Sequence, residues 1–236
     1  MRFPLPLAGA LAAAALVFAS TAASHPERTV ARAVSRVSIP EPTVDAPLAK
    51  TSGRETAVLA GGCFWGMQAV FEHVRGVLDV KAGYAGGDST TAEYEVVSTG
   101  STGHAESVQV TYDPSQITYG QLLKVFFSVA HDPTELDRQG PDVGEQYRSV
   151  IFFSSPDQQR IATAYIGQLD QAKVFPHKIV TEVTKLPAFY VAEAYHQDYY
   201  IHHPYSPYII VNDKPKVEHL KTEWPALWRE SMVASR

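Results

Sequence analysis

Apolar residues fall along this chain in short clusters that glycine and proline separate. Thr56 to Ala60 (TAVLA) has the length and composition of a buried strand, and Gly61 and Gly62 break it. From Trp65 to Val74, the apolar positions Trp65, Ala69, Val70 and Val74 recur at helical spacing. Val77 to Tyr84 suits a second strand, and Ser107 to Tyr112 (SVQVTY) alternates as a third. Tyr119 to Ala130 (YGQLLKVFFSVA) predicts a strong helix and Arg148 to Phe153 (RSVIFF) a fourth strand. The order strand, helix, strand, strand, helix, strand is the split arrangement of a ferredoxin-like two-layer α/β sandwich, an α+β fold. A helix over Pro156 to Val174 and a strand over Lys178 to Val183 extend it. From about Ala188 the chain is rich in tyrosine, histidine and proline. It reads as a long irregular wrapping segment with a short helix near Val217 to Thr222.

The N-terminal end has a different pattern. One charge at Arg2 precedes an apolar stretch from Leu7 to Phe18, then small residues at Thr21, Ala22 and Ala23, so residues 1–23 read as a secretory signal peptide. The apolar run is well short of the roughly 20 residues a membrane span requires. Residues 24–54 carry Pro26, Pro40, Pro42 and Pro47 and no sustained period, which predicts a flexible linker. Residues 55–236 form the expected folded domain. The protein is expected to be exported, periplasmic or secreted, and free of the membrane once the signal is removed.

Composition narrows the function. Of 236 residues 45% are hydrophobic and 19% charged, an ordinary globular balance, and the formal net charge is −5. With no basic excess or basic cluster, nucleic acid is not an expected partner. Glycine-rich phosphate loops are missing, and His196, His202 and His203 have no accompanying cysteine pair or carboxylate at ligand spacing. Neither a cofactor nor a metal is expected.

The chain has one cysteine, Cys63, so it cannot form an internal disulfide although an oxidising compartment would favour one. Cys63 is therefore a buried inert thiol or a reactive one. A thiolate is the nucleophile, and a free cysteine is only about 3% ionised at pH 7, so a working cysteine needs a lowered pKa. The reading of Gly61-Gly62-Cys63-Phe64-Trp65-Gly66 as strand, turn and helix start puts Cys63 at a helix N-terminus, which supplies such a field.

The run Gly62-Cys63-Phe64-Trp65-Gly66 resembles the active-site signature of the peptide methionine sulfoxide reductase A family. Further similar runs follow in order: Gly83-Tyr84-Ala85-Gly86-Gly87, Tyr94, Thr102 to Glu106, His131 to Thr134, Gly140 to Gly144, and Gln146 to Ser149. The resemblance implies that Cys63 attacks the sulfoxide sulfur and that Glu106 donates a proton to its oxygen, helped by the hydroxyls of Tyr94 and Tyr147. It implies that Phe64 and Trp65 form the apolar wall receiving the substrate methyl group and that Asp142 supports the site by hydrogen bonding. It also implies action on the S epimer of methionine sulfoxide, free or protein-bound. A carboxyl group beside aromatic walls tends to keep its proton, because desolvation raises its pKa. His104, beside Glu106, reads as a hydrogen-bonding structural residue.

The chain departs from the family's pattern in two places. Many members carry further cysteines near the C-terminus that attack the sulfenic acid; here that region, His196 to Tyr200 and His203 to Tyr208, contains no sulfur. An external thiol, either a small molecule or a thioredoxin-like or glutaredoxin-like protein, is then the expected reductant. Gln68 stands where relatives often have glutamate. Two other functions remain open on the sequence: a cysteine hydrolase or acyl transferase, which needs a histidine base near Cys63, and a non-catalytic module binding methionine-bearing segments through Phe64, Trp65 and the tyrosines.

Overall fold

The computed structural model describes residues 39–231, so the expected signal peptide and the first part of the expected linker lie outside the described residues. Strand β1 (Glu55–Gly61) leads through a glycine turn into helix α1 (Phe64–Glu72), followed by β2 (Val77–Ala85). A short helix α2 (Tyr94–Val97) precedes β3 (Ala105–Tyr112) and α3 (Tyr119–Val125), which runs on as a π-helical turn over Phe126–Ala130. A two-residue hairpin, β4 (Arg138–Gln139) and β5 (Asp142–Val143), then β6 (Ser149–Phe153), α4 (Pro156–Gln171), β7 (Glu182–Lys185) and β8 (Phe189–Val191) follow. The chain closes with α5 (Tyr199–His202), a π-helical turn over Ile209–Asp213, and α6 (Lys214–Glu223).

Six strands form one sheet in the order β7-β6-β1-β3-β2-β8, antiparallel except for the parallel β6–β7 pair, so the fold is of mixed α+β type. Both faces of β1 are buried: Ala57 and Leu59 join the main core under the helices, while Val58 and Ala60 join a smaller cluster on the other face with Val150, Phe152 and Phe189. That is why Thr56 to Ala60 reads as continuous rather than alternating. Apart from Trp65, every residue of α1 is buried, because the helix is covered by the sheet on one side and by α5 and α6 on the other. Thr118 and Gln121 form a capping box at the start of α3, and Ser155 with Pro156 starts α4.

Three expectations are corrected. The strand expected over Lys178 to Val183 begins only at Glu182, because the Ile179 N–H is taken by the Asp170 carboxylate (3.3 Å) and the Val180 N–H by the Pro133 carbonyl (2.9 Å). The C-terminal segment is more regular than expected, adding β8 to the sheet edge and α5 over α1, while the short helix expected near Val217 to Thr222 is present as α6, which also packs on α1. The linker expected over residues 24–54 is, from Ile39 onward, packed on the domain. Ile39 is buried, the Tyr165 hydroxyl donates to the Pro40 carbonyl (2.8 Å), and Glu41 pairs with the buried Lys124. Asp45 accepts from the Gly120 N–H (2.9 Å) and the Thr118 hydroxyl at the start of α3, and Asp113 holds Ser52 and Gly53. Proline-rich polar composition reads as a linker, yet here Glu41, Thr43, Asp45 and Ser52 each find a side-chain partner on the domain.

Candidate active site

The turn out of β1 is made by Gly62 at φ 90°, a conformation that favours glycine, and it delivers Cys63 to the N-cap position of α1. The first N–H groups of a helix have no partner within it. Here the Phe64 N–H donates to Glu106 Oε2 at 3.0 Å, and the Trp65 N–H is directed at the Cys63 sulfur. The thiol and the carboxyl group thus share the open end of one helix. Glu106 reaches it because β3 pairs with β2 in a register that sets Glu106 opposite Tyr84, at the end of the sheet where α1 starts.

Both groups are buried, Cys63 at 8% and Glu106 at 2% exposure, and this governs their protonation. Burial raises the Glu106 pKa to about 8; the Phe64 N–H opposes the shift and the charge of Asp142 adds to it. At neutral pH most of the protein therefore carries Glu106 as the neutral acid. Burial also pushes the Cys63 thiol up, and Glu106, Asp213 and Asp142 reinforce this against the Trp65 N–H. The lowered thiol pKa expected from the helix N-terminus is therefore overturned in the resting site, because desolvation and three carboxyl groups outweigh one N–H.

Seven residues singled out in the sequence line one cavity of about 220 Å³: Cys63, Phe64, Trp65, Tyr94, Glu106, Asp142 and Tyr147, joined by Tyr208. Tyr94 opens α2, with its N–H on Glu193 Oε1 (2.8 Å), and Tyr147 ends a tight helical turn that starts at Glu145. Burial raises the pKa of both phenols, with Glu106 the next cause, so each hydroxyl keeps its proton. Asp142 lies in β5, accepts a hydrogen bond from the Tyr208 hydroxyl, and is itself shifted upward by burial. The Trp65 indole stacks on Tyr199 at 3.7 Å between ring centres, meets Tyr208 edge-on at 5.7 Å, and donates to His196 Nδ1 at 3.1 Å. Phe64 is buried, with its ring 5.0 Å from His196.

Several residues of the site were not singled out in the sequence. Tyr208 is the eighth wall residue. His196, weighed only as a metal ligand, fixes the Trp65 ring, and burial keeps it neutral. Glu193 holds both the Tyr94 N–H and the Tyr84 hydroxyl (2.8 Å). Asp213 is fully buried beside Gly66, where any Cβ would collide with its carboxylate, and Lys216 faces it at 3.7 Å. The only signal pointing to them was the excess of tyrosine, whose hydroxyl needs a partner when buried. Gln68 uses both ends of its amide, donating to the Val80 carbonyl (3.1 Å) and accepting from the Asp198 N–H (2.9 Å). An ionised glutamate has no donor for the first bond. His104 accepts from the Gly87 N–H (3.2 Å) and lies 2.9 Å from the Asp88 carbonyl, joining two turns. Among the described residues, no histidine lines the cavity, and no three His, Cys, Asp or Glu side chains are grouped to hold a metal ion.

A nucleophilic sulfur, a carboxyl group that holds its proton at neutral pH, phenolic donors and an aromatic wall together define an enzyme site for thiol chemistry on a small neutral group. Comparison with known proteins makes the class specific: a family model described as peptide methionine sulfoxide reductase matches residues 55–227, and the chain belongs to this family. It is 58% identical to a peptide methionine sulfoxide reductase MsrA 2 of Mesorhizobium japonicum over 181 residues, covering 77% of this chain and 93% of the relative. It is 53% identical to an MsrA 2 of Synechocystis over 188 residues, covering 79% and 88%. Among solved structures it is similar to the methionine sulfoxide reductase A of Corynebacterium diphtheriae (36% identity, TM-score 0.57, covering 72% and 86%). It is also similar to the reduced form of Saccharomyces cerevisiae Mxr1 (32%, 0.60, covering 68% and 94%). The protein is an oxidoreductase that reduces peptide methionine sulfoxide.

Proposed function

We propose that Cys63 is the nucleophile and Glu106 the proton donor in the reduction of methionine S-sulfoxide, free or protein-bound, to methionine. The observation that carries this is the shared helix end, where the Phe64 N–H holds Glu106 while the Trp65 N–H faces the Cys63 sulfur in an aromatic cavity. The substrate methyl group rests against Phe64 and Trp65, and its oxygen faces Glu106, Tyr94 and Tyr147. Asp142, through its bond from Tyr208, positions that side of the cavity.

As the Cys63 sulfur bonds to the substrate sulfur, Glu106 delivers its proton to the oxygen and the thiol proton replaces it. The oxygen then passes to the Cys63 sulfur: the substrate sulfur–oxygen bond and the new sulfur–sulfur bond both break as the Cys63 sulfur–oxygen bond forms, methionine leaves, and Cys63 holds the hydroxyl as a sulfenic acid. An external thiol displaces water to form a mixed disulfide, and a second thiol group releases Cys63 and leaves the reductant as a disulfide. A small thiol or a thioredoxin-like or glutaredoxin-like protein fits this step, because Cys63 is the only cysteine in the chain.

Two wider readings go with this one. The central strands β6-β1-β3-β2, antiparallel and with α1 and α3 as their helices, support a ferredoxin-like two-layer sandwich. The charge, apolar run and small residues of positions 1–23 support export to the periplasm or beyond.

The test is a dithiothreitol-driven assay on separated S and R epimers of a methionine sulfoxide peptide. The expected result is turnover of the S epimer alone, none with Cys63→Ser, and about 10²-fold slower turnover with Glu106→Gln, the usual loss for a general acid. Full activity in Cys63→Ser would overturn the reading.

A further inference from the structure

The substrate cavity accounts for only one side of the Cys63 surroundings. A second cavity, of about 190 Å³, also reaches Cys63. The two share Cys63, Asp142 and Tyr208 and no other lining residue. The second is walled by Gln139, Gly140 and Pro141 of the β4–β5 hairpin on one side, and on the other by Val211 and Asn212 of the π-helical turn and Lys216 of α6. None of these side chains has a part in the reduction of the sulfoxide, and Val211 is 69% exposed at the rim.

We propose that this second cavity is the passage through which the reductant's sulfur reaches Cys63, so that substrate and reductant approach from different cavities. The inference rests on the Cys63 sulfenic acid proposed above. Displacement at sulfur runs in line: the incoming thiolate bonds on the side away from the bond that breaks, and here that bond is Cys63 sulfur to oxygen. The oxygen arrives with the substrate, so it lies in the first cavity, towards Glu106, Tyr94 and Tyr147. The back of the sulfur is then approached from the cavity that lacks those three groups. In balance, a thiolate forms the S–S bond, the hydroxyl leaves with a proton from Glu106 as water, and a second thiol group of the reductant releases Cys63. The ammonium group of Lys216, 3.7 Å from the Asp213 carboxylate, offsets that buried negative charge on the path of an anionic sulfur. The ligand is a thiolate, presented either by a small dithiol or by an exposed cysteine of a protein.

Filling the rim separates the two half-reactions. Val211→Trp and, independently, Asn212→Trp place a large side chain at the passage; because Asn212→Trp also removes the Asn212 amide bond to the Tyr208 carbonyl (3.1 Å), Val211→Trp is the variant that decides the burst. The pre-reduced full chain is mixed with excess methionine S-sulfoxide peptide in the absence of thiol, and the methionine formed per enzyme gives the first half-reaction. The oxidised enzyme is then mixed with dithiothreitol or with a reduced thioredoxin-like protein, and the return of the free Cys63 thiol gives the second. The expected result is an unchanged methionine burst and a return of the thiol slowed at least about tenfold with both reductants, an effect confined to one step. An unchanged return of the thiol, or a burst that falls equally, overturns the proposal. Slowing with the protein alone also overturns it, since it would make the rim a docking surface rather than a passage. A wild-type chain without any burst would instead remove the sulfenic acid reading on which the proposal rests.

Discussion

The active site has two sides of different construction. On the sheet side, Cys63, Phe64 and Glu106 are held by backbone: a strand end, a glycine turn, the strand register that sets Glu106 opposite Tyr84, and the first N–H groups of α1. On the side of the wrapping segment, Glu193, His196, Tyr199, Tyr208 and Asp213 act through their side chains, by hydrogen bonds, ring contacts or an ion pair. Backbone holds the atoms whose bonds change, and side chains shape the space around them. Loss of a sheet-side group should therefore cost chemistry, whereas loss of a wrapping-side group should cost fit.

The largest effect belongs to Glu106. Glu106→Gln should lower kcat about 10²-fold or more with little change in KM, and wild-type kcat should fall as pH rises through about 8, where the carboxyl group ionises. The same substitution should stabilise the fold in alkaline solution. Because the folded pKa is raised, the neutral acid costs nothing at low pH, and stability is lost as pH climbs from the unfolded value, near 4.5, through about 8. Denaturant titrations at pH 5 and pH 9 should show a relative gain for Glu106→Gln of on the order of 4 kcal/mol between the two. No change would mean that Glu106 is solvated and its proton is held in some other way.

Tyr208→Phe should have the next effect. It removes the hydroxyl that donates to Asp142, a bond to a charged acceptor contributing roughly 1.5–3 kcal/mol, and kcat/KM should fall about tenfold in steady-state assays. Tyr199→Ala should come below it: the stack on Trp65 contributes about 1 kcal/mol, so KM should rise about fivefold with kcat retained. A fall in kcat as large as that of Glu106→Gln would erase the distinction between the two sides. Asp45→Ala, far from the cavity, should leave kinetics unchanged and lower stability by about 1 kcal/mol in urea, the usual value of a helix cap.

The division also explains what the sequence could show. β1, the glycine turn and α1 follow one another in the chain, so local pattern alone is enough to place Cys63 at a helix start. The placement of Glu106 needed the family resemblance, since one glutamate at a strand start is not distinctive by itself. Tyr208, His196 and Asp213 stayed hidden because Asp142, Trp65 and Gly66, which they face, are brought to them by tertiary packing and leave no period in the sequence. The direction of the thiol shift is hidden from the sequence for the same reason. The helix end that lowers it is local, whereas burial and, after it, the charges of Glu106, Asp213 and Asp142, which raise it, depend on distant parts of the chain.

The packed segment from Ile39 to Gly53 bears on the order of folding. Its bonds join residues 125 positions apart at Thr43 and Gln168, 75 apart at Asp45 and Gly120, and 60 apart at Gly53 and Asp113. Closing such loops costs chain entropy that is repaid only once α3 and α4 already present their partner groups. The segment is therefore expected to dock last during folding and to detach first during unfolding. Its amide protons should exchange ahead of those of β1, only a few residues further along the chain.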